Sequence, residues 1–371
     1  MPTLSESPFP DNGPRIVGAA TAVPPESYTQ REILDLYGIT DPRLRSLFLS
    51  GAIERRHLTL APPAPGGGPS FESQGELLAK HRRTGLDMGR RALAACLEEI
   101  GASVDDVGYL CCVTTTGLLT PGFSALLIKE AGLPSSCSRV DVVGMGCNAG
   151  LNGLTTVAGW AATHPGRLAV MVCIEACSAA YVFDDTMRSA VVNSLFGDGS
   201  AAVAVIADAP GGAGAESSAP PERARGPRIL KFASRVIPEA IDAMRYDWDD
   251  GHGKYSFYLE RDIPYVVGGS VEEVIGRLLD GTGLRRSEIA HWLIHSGGKK
   301  VIDSVRVNLG LTRHDVRHTT SVLRDYGNLS SGSFLFSYQR LAAEDVVRPG
   351  DFGVLMTMGP GSTVETALAR W

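Results

Sequence analysis

Cys147 stands where an apolar stretch, RVDVVGMG, gives way to a small-residue helical stretch, CNAGLNGLTTVAGWAATH. A thiol at a helix N-terminus faces unpaired amides and the positive end of the helix dipole, which favours the thiolate and lowers its pKa. Such a cysteine can act as a nucleophile, and Gly144 and Gly146 would let a substrate carbonyl come close to the backbone. A buried structural thiol is the competing reading. His295 follows the apolar run HWLI and precedes Gly297 and Gly298, the carboxyl end of a strand, where α/β folds place their sites. A core histidine with satisfied hydrogen bonds would look the same. Asn328 lies in YGNLSS at the entry to a helix, where asparagine is also common as a plain N-cap.

Other chemistries lack their residues. His291 and His295 are four positions apart in a strand, about 13 Å, too far to share a metal. His291 is expected to be structural. His314 and His318 in TRHDVRH have no third ligand and are expected on a solvated face. There is no GxGxxG after a strand, no Walker loop, no HExxH and no GxSxG. The seven cysteines are odd in number and form no C-x-x-C pair, so a zinc ribbon, a redox dithiol and a secreted disulfide framework all lack support. No metal site is expected.

The elements that must position these residues can be read from pattern and punctuation. With 371 residues, 44% hydrophobic and 20% charged, the chain is long enough for two domain-sized halves around a large core. A net charge of −6 without a basic stripe argues against nucleic acid as a partner. No leader-like start and no run of about 18 apolar residues is present, so a cytoplasmic protein with no membrane contact is expected. Residues 1–14 read as a flexible N-terminus and 61–70 as a loop. The Ala, Gly, Pro and Ser of 208–227 read as a linker or insertion between an N-terminal half, 15–207, and a C-terminal half, 228–371.

In each half, short apolar strands alternate with helical stretches, the signature of α/β layering with largely parallel buried strands. YLCCVTTT, RVDVVGMG and RLAVMVCIE are strands of the first half, and Cys147 falls at a strand-to-helix joint. HWLIHSGG in the second half is a strand followed by the helix KKVIDSVRVNLGL. YGNLSSGSFLFSYQRLAAE enters another helix, and the chain closes as two strands around a Gly-Pro-Gly turn.

A Cys at such a joint, a His in WLIHSGG, an Asn in YGNLSS and a late GPG loop, in that order, resemble the type III polyketide synthases, the chalcone synthase-like branch of the thiolase superfamily. SLFGDGSAAV around Phe196 and TMGPGSTVET extend the likeness from about Arg15 to Trp371. The resemblance implies a five-layered αβαβα thiolase-like fold of two pseudo-repeated halves, working as a homodimer. It implies that Cys147 carries the acyl chain as a thioester. His295 would pair with the Cys147 thiolate and hydrogen-bond the thioester carbonyl, and Asn328 would complete an oxyanion hole. Phe196 would be the gate between a CoA tunnel and an acyl cavity. Such an enzyme needs no metal and no redox cofactor, because CoA thioesters are its substrates and two donors at the thioester oxygen suffice for malonyl-CoA to lose CO2.

By the same resemblance Thr120, Cys177, Ala180, Ala243, Phe257 and Ser330 would line the cavity, though ordinary packing explains each equally well. Arg55 and Arg56 would face the CoA phosphates at the tunnel mouth. GMGCNAGLN, EACSAAY, DAMRYDWD and HSGGKKVID are similar to a bacterial branch of the family from glycopeptide-antibiotic pathways. That implies four malonyl-CoA, an eight-carbon chain closed from C8 to C3, a retained thioester and crotonase-like pathway enzymes as helpers in dehydration. The family loop Gly-Phe-Gly-Pro-Gly is Thr357, Met358, Gly359, Pro360, Gly361 here, so the cavity wall beside it is expected to differ. Two alternatives stay open: a ketoacyl synthase III-like or other type III condensing enzyme with another starter or cyclisation, and a catalytically silent scaffold. A silent relative would be expected to have lost one of Cys147, His295 and Asn328.

Overall fold

A computed structural model describes residues 12–62, 70–181, 186–208 and 226–371. The first half runs β1 (Pro14–Ala22), β2 (Ser27–Thr29), α1 (Gln30–Leu36), α2 (Pro42–Ser50), β3 (Arg55–His57), α3 (Gln74–Glu99), β4 (Val107–Thr114), α4 (Phe123–Ala131), β5 (Ser138–Val143), α5 (Ala149–Thr163), β6 (Leu168–Glu175), α6 (Met187–Asn193) and β7 (Gly199–Ala207). The second runs β8 (Arg228–Val236), β9 (Met244–Asp249), β10 (Lys254–Leu259), α7 (Ile263–Leu279), β11 (Ile289–Ile294), α8 (Lys299–Asn308), α9 (Arg317–Tyr326), α10 (Ser333–Glu344), β12 (Phe352–Gly359) and β13 (Thr363–Arg370).

Local chemistry sets the ends of these elements. Ser73 and Glu76 form a capping box at the start of α3, and Gly132, left-handed at φ 75°, ends α4. Along α3 the buried Leu77, His81, Thr84, Met88, Ala92 and Cys96 recur every three or four residues and present one face to the sheet.

Nine strands form a sheet in the order β11-β12-β13-β8-β1-β7-β6-β4-β5. Its middle is thin: β1 and β8 share one register pair, Arg15 with Arg228. On either side the pairing repeats. β1–β7 and β7–β6 are antiparallel and β6–β4 parallel; β8–β13 and β13–β12 are antiparallel and β12–β11 parallel. Two copies of one arrangement thus meet at a seam, with β5 an extra parallel edge strand on the first. The expectation of largely parallel strands is corrected. A strand buried on both faces shows the same continuous apolar run whichever way its neighbour points.

Helices complete five layers. α3 and α4 cover the outer face of the first half-sheet, and α7 with α8 that of the second. α5 and α10 lie between, each touching strands of both halves. The middle layer is close-packed because α5 is small-sided: a Cβ on Gly150 would come within 2.2 Å of the Ser331 carbonyl oxygen, and one on Gly153 within 2.7 Å of Met171 Sδ. Of the expected linker, residues 209–225 lie outside the described residues, as do residues 1–11 of the expected flexible N-terminus and 63–69 of the loop. The described ends are tied down. Pro14 already belongs to β1, Asp208 pairs with Arg15 and Arg228, and Pro227 O accepts from Ile16 N at 3.0 Å.

Candidate active site

β5 ends at Val143, and the chain turns through Gly144 and Gly146, left-handed at φ 81° and 77°, into the 3-10 turn Gly146–Asn148 that leads directly into α5. This is the expected strand-to-helix joint, and Cys147 is buried in it. The expected role of Gly146 changes, however. A Cβ there would meet the Pro360 ring at 2.1 Å, and one on Gly359 would meet Cys147 N at 2.8 Å. The late GPG turn therefore fills the space beside Gly146, and its glycines let it press on the Cys147 backbone.

Asn328 follows α9 and is held by the first half. Its N–H donates to Leu195 O at 2.9 Å and its carbonyl accepts from Gly197 N at 3.0 Å, an isolated parallel bridge to Phe196. Its Oδ1 accepts from Ser330 N at 2.8 Å, which fixes the carboxamide flip and leaves the NH2 as donor toward the Cys147 sulfur. Asn328 thus both bonds the backbone of the next turn and faces the thiol. Ser330, left-handed at φ 50°, opens the 3-10 turn Ser330–Gly332. Its Oγ lies 3.5 Å from Cys147 Sγ and 2.8 Å from Thr115 Oγ1. Backbone strain in a non-glycine residue is concentrated at functional sites.

His295 lies one residue beyond β11, its N–H donating to Met356 O at 2.8 Å. Its Nδ1 is hydrogen-bonded to Ser333 Oγ, and Ser333 donates to Ser330 O at 2.9 Å. Cys147, from the first half, and His295 and Asn328, from the second, therefore converge on one short turn, Ser330–Ser333.

Beneath it lies Glu175, fully buried at the end of β6. It accepts from Thr115 N at 3.0 Å, Thr116 Oγ1 at 3.0 Å, Ser331 N at 3.4 Å and Ser331 Oγ. Sequence reading passed over Glu175, Thr115 and Ser333. The available signal was an acid closing an otherwise unbroken apolar strand, RLAVMVCIE.

Burial dominates the protonation of the site. It pushes the Cys147 thiol up to about 12, against the donor bonds of Ser330 and Asn328, and holds His295 down at about 3. The lowered thiol pKa expected from the helix terminus is thus corrected, because the sulfur lies in the interior, where charge is disfavoured. Burial also raises Glu175 to about 7.

Around the thiol, Cys177, Phe196, Ala243 and Phe257 join Cys147 in one buried cluster, with Ala180 packed against it. Tyr181 stacks on Phe196 at 4.0 Å between centroids, and Tyr246 packs edge-on to Phe257 at 5.1 Å. Sequence reading passed over these two phenols as well. Thr120 is not in the wall of this chain but exposed on the loop after β4. Arg56 is not at a tunnel mouth: it is 1% exposed and donates to Phe196 O at 2.8 Å, Asn193 O and Gln30 Oε1. Its aliphatic stem packs under Gly327, so it underpins the Phe196–Asn328 bridge. Arg55 is exposed and donates to Ser27 Oγ at 2.7 Å. His291 is structural, paired with Asp351 at 2.9 Å. His318 is buried against Glu344 rather than solvated, and His314 precedes α9, so the two share no helix face. Among the described residues no group of three or more His, Cys, Asp or Glu is placed to hold a metal ion, and no helix is long and apolar enough to cross a membrane.

Two sequence models match the chain: the N-terminal domain of chalcone and stilbene synthases over residues 63–209 and the C-terminal domain over 233–371. The chain belongs to the chalcone and stilbene synthase family. It is therefore an acyltransferase of the condensing type. Within the family it is similar to the 3,5-dihydroxyphenylacetyl-CoA synthase of Streptomyces toyocaensis, 64% identical over 96% of this chain and 90% of that one. The protein of that name from Amycolatopsis balhimycina is also 64% identical, over 96% and 93%. Among solved structures, the type III polyketide synthase 1,3,6,8-tetrahydroxynaphthalene synthase of Streptomyces coelicolor A3(2) superposes with a TM-score of 0.83 at 25% identity, covering 96% of this chain and 99% of that one. The five layers and repeated halves are those of the type III polyketide synthase fold.

Proposed function

We propose that the protein condenses four malonyl-CoA, one decarboxylated to the starter and three as extenders, closes the eight-carbon chain from C8 to C3, and forms 3,5-dihydroxyphenylacetyl-CoA with the thioester retained. The carrying observation is the convergence of Cys147, His295 and Asn328 on the Ser330–Ser333 turn in a chain 64% identical over 96% of its length to a synthase named for that product.

In this reading Cys147 Sγ loses its proton to His295 Nε2 and attacks an acyl-CoA, and the CoA sulfur leaves. During decarboxylation of malonyl-CoA, charge flows onto the thioester oxygen, where the Asn328 amide and the His295 imidazole are the donors. Phe196 gates the cavity, and Phe257, packed edge-on against it, lines it. No metal or redox cofactor takes part, and a homodimer is expected, since β5 is an unpaired sheet edge, a surface made for pairing. Crotonase-like pathway enzymes would assist the dehydration, and the setting is cytoplasmic.

The deciding experiment incubates the purified protein with malonyl-CoA alone and analyses products by liquid chromatography and mass spectrometry. The expected mass is that of 3,5-dihydroxyphenylacetyl-CoA or its free acid. Absence of that product, with Cys147 acylated only by other acyl-CoAs, would overturn the substrate assignment and leave the nucleophile standing.

A further inference from the structure

The proposed chemistry asks two opposite things of His295 Nε2. It must be a bare lone pair to take the thiol proton, and it must carry a proton to donate to the thioester oxygen. Which state it holds depends on the other ring nitrogen. In most settings a backbone carbonyl or a carboxylate fixes Nδ1 as a donor, or an amide fixes it as an acceptor, and the tautomer is set once.

Here the partner of Nδ1 is the hydroxyl of Ser333. A serine hydroxyl has one proton and two lone pairs. In the resting structure that proton goes to Ser330 O at 2.9 Å, so Nδ1 must be the donor to Oγ, and Nε2 is the basic nitrogen. While that bond holds, Nδ1 keeps its proton and Nε2 is the nitrogen that takes one up and gives it back. The imidazolium, with both nitrogens protonated, is served by the resting arrangement. Among the described residues no carboxylate is hydrogen-bonded to His295, and both His295 and Ser333 are buried.

We propose that Ser333 is a positioning residue that holds His295 with Nδ1 protonated, by accepting from Nδ1–H, so that Nε2 first takes the thiol proton and then, as the imidazolium, donates to the thioester oxygen. This rests on the reading of Cys147 and His295 given above. Ser333 itself gains and loses no proton: the thiol proton passes from Cys147 Sγ to Nε2 and stays there through the decarboxylation, the CoA sulfur leaving as its thiolate. The hydroxyl is well placed for this because it occupies the first position of α10, where the carbonyl three residues back is within reach of a serine or threonine side chain.

The test compares wild type, Ser333→Ala, Ser333→Thr and His295→Ala. Three quantities are read: the rate of Cys147 alkylation by iodoacetamide against pH, kcat and KM for malonyl-CoA turnover, and the ring-nitrogen shifts of 15N-histidine-labelled protein. Ser333→Ala is expected to slow alkylation and lower kcat by on the order of 10- to 100-fold, the consequence of stranding a buried N–H. KM should stay within about threefold and the His295 nitrogen pattern should change. Ser333→Thr keeps the hydroxyl and should restore all three. Unchanged alkylation and kcat in Ser333→Ala, or a threonine variant as impaired as the alanine one, overturns the proposal. If His295→Ala also leaves alkylation and kcat unchanged, the reading of the pair falls as well, whereas a defect in His295→Ala without one in Ser333→Ala sinks Ser333 alone.

Discussion

Gly150→Ala tests how closely the middle helix layer controls the chemistry. Gly150 lies in α5, two residues beyond the turn that carries Cys147, and an added Cβ would sit 2.2 Å from Ser331 O and 2.6 Å from Phe334 Cε1. An ordinary contact needs 3.4 Å or more, so helix and turn must part by about 1.2 Å. The obstacle is a backbone carbonyl in the turn whose other members hold Asn328, Cys147 and His295, so it cannot yield as a flexible side chain would. Overpacking costs about 1 to 3 kcal/mol, and replacing a helical glycine by alanine returns about 1 kcal/mol, so the net loss of stability should be about 2 kcal/mol or less. Misplacing reacting groups by about 1 Å costs on the order of 100-fold in rate. Activity should therefore collapse in a protein that still folds. Urea unfolding and kcat for malonyl-CoA turnover measure the two effects. Gly159→Ala is the control: it lies in the same helix with nothing within 4 Å of its added Cβ, and should gain about 0.5 to 1 kcal/mol with kcat unchanged. A Gly150→Ala enzyme within twofold of wild type would refute the claim that this contact sets the geometry of the site.

Intact-protein mass spectrometry after brief exposure to malonyl-CoA should show an acyl adduct that Cys147→Ala abolishes; an adduct of equal yield in the variant would place the thioester elsewhere. With Cys147 held up at about 12 and His295 down at about 3, both are neutral at pH 7. The thiolate fraction therefore grows with rising pH, and iodoacetamide alkylation of Cys147 should climb steadily from pH 7 to 10. A rate already level between pH 6 and 9 would mean a preformed ion pair. Arg56→Met leaves the Phe196 and Asn193 carbonyls without their buried donor, and should cost about 3 kcal/mol in urea unfolding with KM for malonyl-CoA nearly unchanged. Arg55→Ala, at an exposed position, should leave stability within about 0.5 kcal/mol.

What could be read from sequence follows from how each signal is written. Cys147 and His295 announce themselves by position, at the junction of an apolar run with glycines, and the structure puts both at strand ends beside short turns. Strand direction is not written locally, so a sheet expected to be largely parallel contains antiparallel pairs such as β1–β7 and β8–β13. Arg56 differs from Arg55 by one place along a strand, and alternation sends one inward and the other out; with two arginines side by side, a charge-based reading could not choose. The thiol pKa was misjudged because a helix terminus is visible in sequence and depth of burial is not. Ser333 was passed over because SSGS looks like any polar turn, and its importance arises only when folding brings His295 to it from 38 residues away.

The seam between the halves has a consequence for how the protein is maintained. Where β1 and β8 share one register pair, Asn328 supplies two backbone bonds across the divide, to Leu195 and Gly197. Cohesion of the duplicated architecture and assembly of the reacting groups thus rest partly on the same atoms. An acyl chain or CoA thioester bridging Cys147 and Asn328 would act as a rivet, raising the unfolding midpoint with its concentration as any native-state ligand does. Selection on turnover would then also select for a closed seam, and damage to the seam would show first as lost turnover and only later as lost protein.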